Sequence, residues 1–198
     1  IVRRLKNRSE WSKIRYSRMK EDLIPTPTNL VPFFKIEEGK IPCKEDDMFE
    51  NNFSGAVQKG GRSEALKIMK SFLAHRGKSY TYNISKPGIS EQTCTRLSPH
   101  LTWGTITSKE IIKLIKTKKL SLLENEIKIW NKNLTSVLSR LSWRCHFIQK
   151  LETQPSIEFK CMHPSYEGLR ENSFNTKYFD AWKGGFTGYP FIDACMRC

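Results

Sequence analysis

The sequence predicts an all-α protein, and two observations carry that prediction. Apolar residues recur at helical spacing in several segments, the longest of which runs from residue 121 to residue 151. No segment shows the steady alternation of apolar and polar residues that is typical of a half-buried strand. With 198 residues, of which 38% are hydrophobic, the chain is long enough to bury one packed core.

The first sixty residues are predicted to lie outside that core. Residues 1–24 are strongly basic, and a helix is predicted over 9–21 with Ser9 as its amino-terminal cap. Residues 25–60 are predicted to form an irregular linker, because they combine three closely spaced prolines with an acidic, aperiodic stretch that ends at a glycine pair.

Residues 61–198 are predicted to be helical over most of their length. A helix over 65–73 is expected to end with Gly77 as its carboxyl-terminal cap. Residues 78–97 show no steady period and are predicted to be a loop.

Capping signals mark the later helices. Thr107 and Glu110 form a capping-box pattern that predicts a helix start. The long helix over 121–151 is expected to stop before Pro155. Shorter helices are predicted over 175–183 and from Pro190 onward. The predicted buried face of the long helix consists of Leu123, Ile127, Trp130, Leu134, Val137, Leu138, Leu141 and Ile148.

The charge balance predicts an acidic partner. The formal net charge is +14, and the cations concentrate in residues 1–20 and 103–150. Such a surface attracts phosphate backbones and accelerates encounters with them. A lysine-rich, merely solvated surface has the same composition, so charge alone leaves nucleic-acid binding open.

Other compositional features narrow the class of protein. No apolar run reaches the eighteen residues of a membrane span, and no charged-then-apolar leader opens the chain. Six scattered cysteines are expected to be free thiols in a reducing, intracellular compartment, whether cytoplasm, nucleus or organelle. Cys195 and Cys198 are interpreted as neighbours on one helical turn, because metal ligation would need further ligands and no second such pair exists.

Three segments occur in an order that one family shares. Residues 95–104 read TRLSPHLTWG, residues 141–147 read LSWRCHF, and residues 179–197 read FDAWKGGFTGYPFIDACMR. Together they resemble the photolyase/cryptochrome family, whose motifs are SRLSPYL-x-x-G, L-x-WR-x-x-F and AW-x-x-G-x-TGYP-x-x-DA-x-MR. Three motifs in order are far more specific than any one of them.

The resemblance implies a helical domain that binds FAD and uses blue light. In photolyases, reduced flavin passes an electron to a pyrimidine dimer in damaged DNA, and the dimer splits. In cryptochromes, the same pocket serves signalling. The expected function is therefore blue-light-driven dimer repair, a carbon–carbon lyase reaction carried out by a monomer. A cryptochrome-like photoreceptor without repair activity is the alternative.

The resemblance also assigns the domains. Residues 1–24 resemble the connector that leaves the family's antenna domain, which can hold a second chromophore. Residues 61–198 resemble the first half of the FAD-binding domain, which continues beyond the third motif in the family. The chain alone is therefore expected to be inactive, to bind FAD weakly, and to leave apolar helix faces at 121–151 and 175–198 unburied.

The expected FAD contacts follow from the same resemblance. A hydroxyl- and amide-rich turn that enters a short helix beside an arginine suits a diphosphate. Tyr80 is included because it stands seven residues before Pro87, with Tyr82 as the fallback, and Arg144 is expected to face the flavin cavity. The positions assigned to this turn are Thr95, Arg96, Leu97 and Ser98.

Two residues are assigned to the DNA lesion. By resemblance Trp143 lines the cavity in which a flipped base stacks. Repair enzymes carry glutamate three residues earlier, where this chain has Arg140. A second cavity tryptophan is replaced by Val137, and both changes are expected on the same helix wall as Trp143.

The third motif also contains a predicted turn. Its glycines and Pro190 are expected to shape the turn and the start of the last helix. Asp193 and Arg197 stand four residues apart, and an intrahelical ion pair is predicted between them.

Overall fold

The computed structural model describes residues 8–29, 39, 58–169 and 171–197. Within those ranges the chain forms α-helices joined by turns and short 3₁₀ segments, and no strand is present, which confirms the all-α class. Most of the predicted linker, residues 30–57 apart from residue 39, lies outside the described residues. The helices are α1 (Arg8–Arg18), α2 (Arg62–Ala74), α3 (Tyr80–Asn83), α4 (Pro87–Thr93), α5 (Ser98–Thr102), α6 (Ser108–Leu120), α7 (Glu124–Thr153), α8 (Thr176–Lys183) and α9 (Pro190–Arg197).

The hydrophobic core lies where α2, α6 and the middle of α7 meet. Burial of this apolar surface is the main favourable contribution to folding. The side chains with no exposed surface in this core are Ala65, Phe72, Ile111, Ile115, Trp130 and Leu134.

The long helix α7 is confirmed, but part of its predicted buried face is wrong. It ends at Thr153, two residues before Pro155. Leu123, Ile127 and Ile148 are exposed by 67%, 43% and 43%. The reason is that α2 and α6 cover only the middle of this thirty-residue helix. These apolar side chains near the two ends of the helix therefore stay largely exposed in the described residues.

Residues 78–97 are not a loop, contrary to the prediction. They contain a 3₁₀ turn and the helices α3 and α4. The buried side chain of Asn133 organises this segment from α7. Its Oδ1 accepts hydrogen bonds from the backbone N and the Oγ1 of Thr81, at 2.7 and 2.8 Å. Its Nδ2 donates to the carbonyl oxygen of Lys78 at 2.8 Å.

Gly77 is not the carboxyl-terminal cap of α2, contrary to the prediction. The helix ends at Ala74, and His75 occupies the cap position. Gly77 lies buried beneath the ring of Trp130 instead. A Cβ atom at this position would lie 2.8 Å from Trp130 Cζ3 and 2.9 Å from the carbonyl oxygen of Phe72. Glycine is therefore required here by close packing.

Helix α1 spans Arg8–Arg18, and Ser9, the predicted cap, falls within its first described turn. The helix packs on α7 through the Trp11 ring, which meets the His146 ring edge-on at 6.0 Å. The following turn contacts α6 through an ion pair of 3.1 Å between Lys109 and Glu21.

The predicted capping box at the start of α6 is confirmed. Thr107 Oγ1 accepts from the backbone N of Glu110 at 3.2 Å, and Glu110 Oε2 accepts from the backbone N of Thr107 at 2.8 Å. Arg62 of α2 adds an ion pair to Glu110 at 2.6 Å. This guanidinium, with the Thr107 hydrogen bonds, lowers the pKa of Glu110 below its usual range.

The predicted ion pair between Asp193 and Arg197 is wrong. Asp193 accepts hydrogen bonds from the Thr187 backbone N and Oγ1 and from the Gly188 backbone N, at 2.8, 2.6 and 3.0 Å. These bonds, with the nearby charge of Arg197, lower the pKa of Asp193. Arg197 donates to the carbonyl oxygen of Gly185 at 2.9 Å. Both side chains thus hold the turn between α8 and α9.

Candidate functional site

The turn formed by residues 95–98 connects α4 to α5. Arg96 has a φ of 57°, a left-handed conformation that is uncommon outside glycine. Its carbonyl oxygen accepts a hydrogen bond from Gln58 Nε2 at 2.7 Å, and its guanidinium pairs with Glu91 at 2.6 Å. Leu97 is only 2% exposed and anchors the turn in the core. The turn is therefore held by the contacts of Arg96 with Gln58 and Glu91 and by the packing of Leu97 in the core. Because the Leu97 side chain is buried, only its backbone groups are accessible to a ligand.

The hydroxyl groups of this turn differ in exposure. Ser98 is exposed at the first position of α5, whereas Thr95 is half-buried. Both hydroxyls and the Arg96 guanidinium thus stand within a four-residue turn, as the sequence predicts. This set of donors fits the chemistry of a phosphate group.

Arg76 also belongs to this candidate site, although the sequence analysis did not predict it. Its guanidinium donates to Ser71 Oγ at 3.0 Å, to the Ile68 carbonyl oxygen at 2.9 Å, and to the Cys94 carbonyl oxygen. Burial, followed by the charge of Arg96, lowers the pKa of Arg76. No local pattern marks this residue, because the partners that position it lie on α2 and just after α4.

Tyr80 and Arg140 lie together, although the sequence assigns them to different ligands. Tyr80 is 5% exposed, and its ring meets that of Phe72 edge-on at 5.8 Å. Burial raises the pKa of the Tyr80 hydroxyl, and the nearby Arg140 guanidinium partly opposes that shift. The hydroxyl therefore stays protonated at neutral pH and can donate a hydrogen bond. Tyr82, the fallback, is 75% exposed, and its ring lies 3.3 Å from Lys86 Nζ.

Arg144 connects α7 to the same region. Its Nη2 donates to the carbonyl oxygen of Leu101 in α5 at 3.1 Å. The guanidinium therefore positions α5, the helix that the 95–98 turn enters. Arg140 and Arg144 stand one helical turn apart, so α7 presents both cations on the side of α3 and α5.

Trp143 is turned by about 60° around the axis of α7 from Arg140. Its side chain is 52% exposed, stacks on Phe147 at 5.9 Å, and meets His146 edge-on at 5.9 Å. Val137 is 3% exposed and packs in the core. Val137 therefore does not share an open wall with Trp143, contrary to the expectation from spacing.

An open hollow occurs elsewhere in the chain. Its volume is about 490 Å³, and none of the predicted site residues lines it. It lies in the segment between α7 and α8, where Cys161, Tyr166 and Phe174 contribute to its wall.

Neither a cluster of metal-ligating side chains nor a membrane-spanning helix occurs in the described residues. Within those residues, no group of three or more His, Cys, Asp or Glu side chains is placed to hold a metal ion. Among the described helices, none combines the length and the apolar character needed to cross a lipid bilayer.

Comparison with known proteins identifies the family. The model for the FAD-binding domain of DNA photolyase matches residues 137–198, a segment that includes Arg140, Trp143 and Arg144. A deoxyribodipyrimidine photo-lyase of Streptomyces griseus is 28% identical over 156 residues, which cover 79% of this chain and 30% of the relative. The chain belongs to the photolyase/cryptochrome family.

Relatives of both kinds occur within this family. A cryptochrome DASH of Danio rerio is 31% identical over 82% of this chain and 31% of the relative. A cryptochrome DASH of Xenopus laevis is 28% identical over 90% of this chain and 33% of the relative. The photolyase/cryptochrome chain described here thus spans about a third of the length of these curated relatives. No solved structure matches it.

Proposed function

We propose that this chain supplies the first half of a FAD-binding helical domain, and that the complete protein splits pyrimidine dimers in damaged DNA under blue light. Residues 61–198 form that half, residues 25–60 the linker, and residues 1–24 the connector to an antenna domain with its own chromophore. Bound, reduced FAD supplies the electron that opens the dimer. The family match over residues 137–198 supports the flavin.

One structural observation carries the cofactor assignment. Arg76 and Arg96 bring two positive charges to the same turn, and their repulsion contributes to the lowered pKa of Arg76. Glu91 pairs with the Arg96 guanidinium at 2.6 Å in the described structure, and a bound diphosphate would add further negative charge beside the same guanidinium. Arg96 and the exposed Ser98 hydroxyl bind the phosphates, while Arg76 holds the turn in place.

The proposed contact with the DNA lesion rests on Trp143. Its ring is half-exposed and rests on Phe147, which leaves the outer part of the indole open for stacking with an extruded base. Arg140 offers a fixed cation near Tyr80, suited to a phosphate or a carbonyl oxygen of the lesion.

Replacing Arg96 with alanine in the complete protein is expected to weaken flavin binding at least tenfold. The change removes a charge-assisted hydrogen bond of about 1.5–3 kcal/mol, and 1.4 kcal/mol corresponds to about a tenfold change in affinity. The measurement is the flavin absorbance retained per mole of folded protein. Arg18→Ala, which removes an exposed guanidinium of α1, is the control and should retain the wild-type flavin content. Equal flavin content in both variants would show that the 95–98 turn is misassigned.

The test of the whole function uses the complete reading frame, purified in the dark. Pyrimidine dimers are counted in ultraviolet-damaged DNA after incubation with the protein, in blue light and in darkness. We expect dimers to disappear in the light only. Loss in darkness, or no loss under either condition, contradicts light-driven repair.

A cryptochrome-like photoreceptor is the second candidate, and Arg140 favours it. A cation replaces the glutamate of repair enzymes at the position that contacts the dimer, and relatives named cryptochrome DASH match as well as photolyases do. A yellow protein that removes neither common dimer in the light supports this candidate. A colourless protein contradicts both.

A further inference from the structure

Arg140 replaces the glutamate of repair enzymes, and its nearest described neighbour of functional interest is Tyr80. The Tyr80 side chain is 5% exposed, and its hydroxyl is close enough to the Arg140 guanidinium for interaction by charge and by hydrogen bonding. Trp143, the residue assigned to the lesion, is turned by about 60° from Arg140 around the helix axis. The contact with Tyr80 therefore links Arg140 to α3.

The approach of Tyr80 to Arg140 is set by the way α7 holds α3. The buried Asn133 of α7 donates to the Lys78 carbonyl oxygen at 2.8 Å and accepts from the Thr81 backbone N at 2.7 Å. At about 100° and 1.5 Å per residue, Arg140 lies about 20° around α7 from Asn133 and about 10 Å further along it. The backbone of Tyr80 is therefore fixed on the face of α7 that carries Arg140.

Cys94 connects the Tyr80 hydroxyl to the proposed phosphate site. Its thiol lies within electrostatic range of that hydroxyl and of the Arg76 and Arg96 guanidinium groups. Its carbonyl oxygen accepts a hydrogen bond from Arg76, and Thr95, the first residue of the proposed phosphate-binding turn, follows it directly. The Tyr80 hydroxyl therefore lies beside the start of that turn.

The chemistry of the two side chains fixes the direction of a hydrogen bond between Arg140 and Tyr80. A guanidinium group has five N–H donors and no acceptor, whereas a phenol has one hydrogen and can accept through its oxygen. Arg140 must therefore donate, and the Tyr80 oxygen must accept. The phenolic hydrogen is then left for another acceptor, and it becomes a stronger donor, because successive hydrogen bonds polarise one another.

We propose that Arg140 is a positioning residue of the flavin site, which directs the Tyr80 hydroxyl hydrogen toward a phosphate oxygen of FAD. This inference rests on the proposed function and assigns Arg140 to the flavin instead of the lesion. A glutamate at the same position would accept that hydrogen and hold it away from the phosphate. The change from glutamate to arginine thus replaces a competing acceptor with a donor that supports cofactor binding.

A double-mutant cycle on FAD affinity tests whether Arg140 acts through Tyr80. Apoprotein from the complete reading frame is titrated with FAD, and the quenching of flavin fluorescence gives the Kd. R140Q and Y80F are each expected to raise the Kd about fivefold to tenfold, which corresponds to the loss of one hydrogen bond. The double variant R140Q/Y80F should bind no more weakly than Y80F, because Arg140 then has no hydroxyl to direct.

Two further variants sharpen this test. K132Q is the matched control, since it removes a cation from an exposed position of the same helix, and it should keep the wild-type Kd. R140E restores the residue of repair enzymes and should bind FAD more weakly than R140Q. Thermal melts followed by circular dichroism must coincide for all variants, so that differences in Kd reflect contacts with the cofactor.

The outcomes separate this proposal from the proposed function. If R140Q raises the Kd equally in the wild-type and Y80F backgrounds, Arg140 acts independently of Tyr80, and the proposal is overturned while the proposed function stands. An unchanged Kd in R140Q or R140E overturns it too, and a simultaneous loss of affinity for a duplex with one thymine dimer would identify Arg140 as a lesion contact. If the wild-type apoprotein does not bind FAD, the proposed function fails as well.

Discussion

Replacing Asn133 with alanine is expected to lower the free energy of unfolding by about 3 kcal/mol. The side chain is 4% exposed and connects α7 to the segment that carries Tyr80. Its Oδ1 accepts two hydrogen bonds from Thr81, and its Nδ2 donates to the Lys78 and Ile129 carbonyl oxygens. Alanine leaves the Thr81 backbone N and the Lys78 carbonyl oxygen without these partners, and each unsatisfied group costs about 1–3 kcal/mol when buried.

Urea denaturation measures this change, with the slope of the transition held equal between variants. Asn131→Ala is the matched control, because Asn131 is an exposed residue two positions earlier on the same helix. Its effect should stay within about 0.5 kcal/mol. Faster exchange of the Thr81 amide hydrogen in N133A would locate the damage at α3. If N133A and N131A are equally stable, Asn133 does not hold α3 to α7.

Replacing Gly77 with alanine is expected to destabilise the protein by about 1–3 kcal/mol. The added methyl group meets the Trp130 ring at 2.8 Å, the Phe72 carbonyl oxygen at 2.9 Å and the Phe72 ring at 3.0 Å. Trp130 and Phe72 have no exposed surface, so neither ring can move into solvent. The backbone of the 3₁₀ turn must shift instead, and Tyr80 follows directly after that turn.

Gly88→Ala is the control for this prediction. Gly88 lies inside α4, and no atom lies within 4 Å of a Cβ built there. Alanine should stabilise the protein by about 0.4–1 kcal/mol, because it reduces the conformational freedom of the unfolded chain. Unfolding in urea compares the two variants directly. Stabilisation by both substitutions would contradict the close approach of Trp130 to Gly77.

Local chemistry made several parts of this protein predictable from its sequence. The Thr107 and Glu110 capping box, Pro155 after α7 and Pro190 at the start of α9 act on residues within one turn of themselves. Their effects are therefore visible in a short stretch of sequence. The family, by contrast, was predicted from the resemblance of three motifs that occur in order between residues 95 and 197.

The same local reasoning found the turn at 95–98 but not all that surrounds it. Arg76 reaches the Cys94 carbonyl oxygen across 18 residues of sequence and brings a second guanidinium group to the proposed phosphate site. Asp193 and Arg197 have the spacing of an intrahelical pair, yet each bonds to the turn before α9. The spacing of two residues along a helix shows whether their side chains are able to contact each other. Whether they do so depends on the other hydrogen-bonding groups within reach, here those of the turn before α9.

The sequence by itself determined the all-α class, the starts of α6 and α9, the end of α7 before Pro155, and the family. Only the tertiary structure decided how residues 78–97 fold, why position 77 is glycine, and which side of α7 is open. Asn133 contacts Thr81 and Lys78 across 52 and 55 residues, and Trp130 fills the space above Gly77. Periodicity reports only on neighbours along one helix, whereas these contacts depend on which helices pack together.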